Sequence, residues 1–154
     1  MLKLVALNLV FLTLACAVDL PSKKWLNLAG LKTMVAAAEA EAQKRNVQVT
    51  ISIVDESGNL LFLQKADGAS LVTIQFAQKK ARYAAFYRRP SKAAADQLQS
   101  GNLSVLSVPD GFPNQGGLPI LLDGQTLGGI GVSGAASEVD EAIAQVAIDA
   151  LLKK

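Results

Sequence analysis

Gly116-Gly117-Leu118-Pro119-Ile120-Leu121-Leu122-Asp123-Gly124-Gln125-Thr126-Leu127-Gly128-Gly129-Ile130-Gly131-Val132-Ser133-Gly134 is the most informative run in this chain. Asp123-Gly124 stands between two apolar segments, a pattern that predicts a tight β-hairpin. The second segment carries Gly128, Gly129, Gly131 and Gly134. Glycine weakens a strand unless something approaches its main chain closely. The spacing therefore predicts a hairpin against which a helix, a second chain or a ligand comes to rest. Pro119 suits an edge strand or a strand start, because proline has no N–H to offer a neighbour.

On the N-terminal side of this hairpin, Leu71 to Arg89 reads as the longest helix. Ile74, Ala77, Ala81 and Ala84 form a small-residue stripe suited to close packing on a sheet. Ser70 is its expected N-cap, Pro90 ends it, and Ser91 opens a short helix to about Gln99. Further upstream, Leu28, Leu31, Val35, Ala38 and Ala42 step at helical spacing, and Asn46 is the expected stop. Val47 to Ile53 alternates, with Val49, Ile51 and Ile53 facing one way and Gln48, Thr50 and Ser52 the other. That pattern predicts a half-buried strand. Asp55 to Asn59 forms a turn, and Leu60 to Gln64 returns. Leu103 to Val108 is a further expected strand in a loop-rich stretch. Ser137 is the expected cap of a last helix, with Ile143, Val146, Ala147, Ala150 and Leu151 inward. Trp25 and Leu26 are expected to be the first buried anchors. These elements give an α/β chain of the α+β type: a single antiparallel sheet of about five strands flanked by helices.

The start of the chain reads differently. Met1 to Lys3 is a short basic lead, Leu4 to Leu14 is apolar, and Ala15-Cys16-Ala17 has the small-x-small form of a signal-peptidase site. The run is too short for a membrane span. Residues 1–17 are thus expected to be a signal peptide, 18–25 a lead-in, and 26–154 one domain in the periplasm or outside the cell. A lipoprotein anchored through Cys16 is the less favoured alternative, since Thr13 stands where such signals carry an aliphatic residue.

Composition narrows the chemistry. The chain has no histidine and a single cysteine. Loss of the leader would remove that cysteine, and with it disulfides, thiol nucleophiles and Cys-His constellations. Any metal would be held by oxygen atoms or arrive inside a cofactor. A net charge of +2 does not suggest a nucleic-acid partner. With 51% hydrophobic and 18% charged residues, the chain is not disordered.

Six short motifs occur in order: Val54-Asp55-Glu56-Ser57-Gly58, Asp67-Gly68-Ala69, Lys80-Ala81, Gly116-Gly117-Leu118-Pro119-Ile120, Gly128 to Gly134, and Asp140-Glu141. Through them the chain resembles a family of glycolate-operon proteins, secreted haem-binding proteins and the C-terminal domain of a propanediol-utilisation cobalamin adenosyltransferase. The resemblance spans about Leu26 to Leu152. It implies a profilin-like α/β domain, a homo-oligomer, and binding of haem or a corrinoid for sensing or cofactor handling. The family helix commonly runs Lys-Ala-x-Thr-Ala. Here Tyr83 replaces the threonine, which puts that threonine's role in doubt and makes a tyrosine role possible.

Phe76, Lys80, Tyr83 and Tyr87 fall on one helix face. A tetrapyrrole could stack there, with Lys80 on a propionate and a tyrosine at the iron; alternatively the stripe closes over core and Lys80 snorkels outward. Gly116, Gly117 and Pro119 are expected to border the same ligand, in a hollow shared by the hairpin and the alanine-lined helix. Lys79, Lys80, Arg82, Arg88, Arg89 and Lys92 make a local basic cluster that either attracts an anion or is solvated. Asp55, Glu56, Asp67, Asp140 and Glu141 are the carboxylates available for acid–base work, with ordinary turn and helix-start roles as the alternative. The favoured function is an exported, non-enzymatic small-ligand binder. An enzyme or enzyme accessory acting on a small hydroxy- or keto-acid through carboxylates and Lys80 is the alternative, and an oligomer whose glycine hairpin is only an interface is a third.

Overall fold

The Asp123-Gly124 turn forms as the dipeptide predicts. Both residues take the left-handed conformation, with φ of 51° and 77°, the geometry whose twist matches two antiparallel strands. It joins β3 (Gly117–Leu122) to β4 (Gln125–Ser133). The computed structural model describes residues 18–153, so the expected signal peptide lies outside the described residues. The remaining elements are α1 (Leu28–Lys44), β1 (Thr50–Asp55), β2 (Leu60–Lys65), α2 (Val72–Tyr87), α3 (Lys92–Gln99), a 3-10 turn at Leu103–Leu106, and α4 (Ser137–Leu152). The sheet runs β2-β1-β4-β3, antiparallel throughout.

Strand alternation divides the molecule into layers. Val49, Ile51, Ile53, Leu118, Ile120, Ile130 and Val132 join Leu31, Met34 and Val35 of α1 and Ile143, Ala144 and Ala147 of α4 in the main core. The opposite face carries Gly117, Gly129 and Gly131, and α2 lies across it.

Several expectations are corrected. Among the described residues the sheet has four strands, not about five. Leu103–Leu106 is a 3-10 turn, because the Asn102 side chain accepts the Ser104 N–H and starts a tight turn. The edge strand β3 also carries Pro119, which has no N–H to give a fifth strand. β1 is buried on both faces. Thr50 escapes solvent by bonding the Thr73 hydroxyl at 2.7 Å under α2. Ser70 makes no side-chain cap; Leu71 precedes the helix, while the Ser70 carbonyl accepts the Thr73 hydroxyl. Among the described residues no helix is long and apolar enough to cross a membrane.

Candidate functional site

The hollow expected between α2 and the glycine hairpin is absent: the two elements meet backbone to backbone. A Cβ added at Gly131 would lie 2.1 Å from the Ala77 carbonyl oxygen, and one at Gly129 2.2 Å from that of Ala81. One at Gly117 would lie 2.3 Å from the Lys80 carbonyl oxygen. The glycines are there so that α2 can seat on the sheet, and the seam admits no guest between them.

The aromatic stripe of α2 is covered as well. Tyr83 is fully buried beside Ala94 and Val105. It stacks on Tyr87 at 4.6 Å, and its hydroxyl accepts the Arg89 Nε–H at 3.0 Å. The Tyr87 hydroxyl donates to the Pro109 carbonyl at 2.6 Å. Phe76 meets Phe112 edge-on at 5.3 Å. Three of the four stripe residues thus pack against the stretch from α3 to residue 112.

Lys80 does not snorkel. Its ammonium is enclosed, donating to the Asp140 carboxylate at 2.9 Å and to the Val132 carbonyl at 2.8 Å. Both side chains are only 2% exposed. Asp140 accepts the Ala135 N–H through its other oxygen at 3.0 Å. Burial pushes Lys80 below the ordinary lysine value of 10.5, against the pull of its bond to Asp140. Burial likewise raises Asp140 above 3.8, opposed by the same bond. This pair ties α2, β4 and α4 together. Gly116 packs on it, since a Cβ there would lie 2.8 Å from the Lys80 Nζ. The pair is therefore enclosed by the three elements it joins and does not face solvent.

The other charged candidates are scattered. Arg82 holds Asp110 through two nitrogens, at 2.7 and 3.1 Å, and reaches the Gly58 carbonyl at 2.9 Å. Lys92 pairs with Asp96 within α3. Arg88 takes the left-handed conformation that ends α2. Asp55 serves its own turn, accepting the N–H groups of Ser57 and Asn59 and the Asn59 side-chain amide. No group of three or more potential metal ligands occurs among the described residues.

A cleft opens at the turn end of the hairpin and on the α1/α4 side. It has a volume of about 490 Å³ and is bounded by Trp25, Leu26 and Asn27, by Leu122 and Leu127, and by Leu151 and Leu152. Clefts that hold cofactor-sized ligands run to about 300–1,000 Å³. Trp25 is 73% exposed, which corrects its expected role as a buried anchor. Leu26 is the residue that enters the core. Asn27 caps α1 by accepting the Gly30 N–H at 2.8 Å, which sets where the chain turns away from the cleft. Lys23 and Lys24 stand at the rim, paired with Glu56 and Asp123, so the lead-in is strapped across both hairpin turns. The sequence signal for this cleft is the adjacency Lys23-Lys24-Trp25 before the first helix, a basic pair beside an indole.

Known proteins share this architecture. HbpS from Streptomyces reticuli, in a double-mutant crystal structure, superposes with a TM-score of 0.79 at 29% identity, over 88% of this chain and 92% of that one. The crystal structure of a PduOC:haem complex superposes with a TM-score of 0.77 at 32% identity, over 82% of this chain and 95% of that one. Protein GlcG of Escherichia coli K12 is 36% identical over 100 residues, 65% of this chain and 75% of the relative. The family profile described as haem degrading protein HbpS-like matches residues 26–149. That span runs from the first core residue, Leu26, almost to the end of α4 and takes in the glycine seam and the Lys80–Asp140 tie, so the chain belongs to the HbpS-like family.

Proposed function

We propose that this chain is an exported binder of haem or a related tetrapyrrole, serving sensing or cofactor handling, and that the macrocycle occupies the Trp25 cleft. The observation that carries the placement is the cleft's chemistry: an exposed indole, a floor of five leucines and two ammonium groups at the rim. The kinship with a protein crystallised as a haem complex supports the ligand class. A flat aromatic macrocycle stacks on indole and sheds water against leucine. Its propionates are the natural partners of Lys23 and Lys24, each of which has two N–H donors to share beyond the one given to its present carboxylate. Bound haem would contribute the redox and oxygen chemistry of its iron. The chain's part is to bind the macrocycle, orient its carboxylates to the rim and shield one face from water. In this reading Phe76, Lys80, Tyr83, Tyr87, Gly116, Gly117 and Pro119 hold the scaffold rather than the ligand.

The export proposal rests on the Leu4–Leu14 run and Ala15-Cys16-Ala17. Self-association is supported by the family resemblance and by the exposure of Leu103 and Leu106 on the 3-10 turn. Titrating residues 18–154 with hemin tests the ligand. A saturable shift of the Soret band, lost or strongly weakened in Trp25→Ala, is expected. A spectrum that never saturates would refute haem binding, and saturation unchanged in Trp25→Ala would refute the placement.

A further inference from the structure

Resting on that haem reading, we infer that the chain recognises the porphyrin macrocycle and its carboxylates and not the iron, so that metal-free porphyrins are ligands of the same site. The inventory of iron-binding side chains carries this. Protein-held haem takes its axial ligand from histidine, cysteine, methionine or tyrosine. Histidine is absent from the chain. Cys16 and Met1 belong to the expected leader, outside the described residues. Met34 is fully enclosed in the α1/α4 core. Tyr83 is fully buried, with its hydroxyl held by Arg89. Tyr87 has spent its hydroxyl proton on the Pro109 carbonyl. Neither tyrosine borders the cleft.

Within the cleft the polar groups are equally committed or equally unsuited to iron. The Asn27 side-chain oxygen already accepts the Gly30 N–H. Lys23 and Lys24 are ammonium groups in ion pairs, and a protonated amine has no lone pair to give a metal. What remains is an indole face, leucine side chains and positive charge at the rim. Those features suit a dianionic aromatic macrocycle and are indifferent to its centre. The residues fit the organic part of haem and do not fit iron ligation.

The test compares hemin with protoporphyrin IX on residues 18–154, reading quenching of Trp25, the single tryptophan, together with the absorbance of each porphyrin. Dissociation constants within about threefold of each other are expected, where a protein ligand on iron would favour hemin by about tenfold or more, equivalent to about 1.4 kcal/mol. The dimethyl ester of protoporphyrin IX, which lacks both negative charges, is expected to bind at least about tenfold more weakly. Trp25→Ala is expected to weaken hemin and protoporphyrin IX alike, followed by porphyrin absorbance. Preference for hemin by tenfold or more would overturn the inference and leave haem binding standing. Binding of neither porphyrin would remove the haem reading itself. Equal binding of the ester and the free acid would overturn the role given to the lysines.

Discussion

Adding one methyl group at Gly131 is a direct test of the seam between α2 and the sheet. The new Cβ would stand 2.1 Å from the Ala77 carbonyl oxygen, 2.7 Å from the Ala81 nitrogen and 3.0 Å from the Lys80 Cβ, where ordinary contact begins near 3.4 Å. Two of these obstacles are main-chain atoms, which cannot rotate aside. The helix must retreat by more than an ångström, and the gap would strip contacts from Val54, Ala81 and Ala85, the small cluster on that face. A radial gap of about 0.5–1 Å already forfeits about a quarter to a half of a dispersion well. Overpacking a core costs about 1–3 kcal/mol and sometimes more, and a helix backbone places Gly131→Ala at the upper end, about 3 kcal/mol. Gly124→Ala is the control. Gly124 has φ of +77° and nothing within 4 Å of an added Cβ, so it pays only the left-handed backbone cost of about 1–2 kcal/mol. Urea unfolding of both variants, with midpoints and slopes compared, gives the difference. Ala77→Gly is expected not to rescue Gly131→Ala, because the obstacle is an oxygen of the main chain. If Gly131→Ala is no less stable than Gly124→Ala, the seam is not held at van der Waals contact and the reasoning fails.

The Lys80–Asp140 tie gives two more expectations. Lys80→Met is expected to cost about 3–5 kcal/mol by leaving a buried carboxylate unpaired, and Lys80→Met with Asp140→Asn is expected to cost less than the two singles summed; urea midpoints that add linearly would refute the coupling. The pair should also show in pH dependence. Asp140 is held above 3.8, so its contribution is full below 3.8 and falls away as pH rises through its raised value; Lys80 is held below 10.5, so stability is regained as pH climbs from its lowered value towards 10.5. The unfolding midpoint of the wild type relative to the double variant is therefore expected to dip between these windows, and a flat difference across pH would contradict it.

Much of the fold was legible because local chemistry and tertiary demand agree. Asp123-Gly124 names its own turn, and the alanines of α2 announce a helix that packs closely. The glycines of β4 said that something would touch the strand. They could not say whether a helix backbone or a ligand would do so, since both need the same missing Cβ. Thr50 and Ser52 read as a solvent face because they alternate with aliphatic residues. Their burial depends on α2 lying over them, which strand periodicity does not encode. Lys80 was misread for a related reason: a lysine on a helix snorkels unless an acceptor waits inside, and Asp140 stands 60 residues further along. Leu103–Leu106 is four residues long, too short a run for its apolar character to separate strand from turn. Trp25 looked like core because indoles are usually well covered; its exposure follows from the lead-in being strapped by charge rather than by apolar contact.

The cleft draws its walls from both extremities of the described chain, Lys23 to Asn27 at one end and Leu151 and Leu152 at the other. An affinity tag or fusion partner at either end would therefore crowd the mouth, and trimming either end would dismantle it. A circularly permuted version joined across these neighbouring ends and reopened at Gly101, where φ is +88° and no atom lies within 4 Å of an added Cβ, keeps the scaffold and moves the free ends to the far loops. That architecture would let the cleft be studied on an immobilised protein with nothing tethered at its entrance.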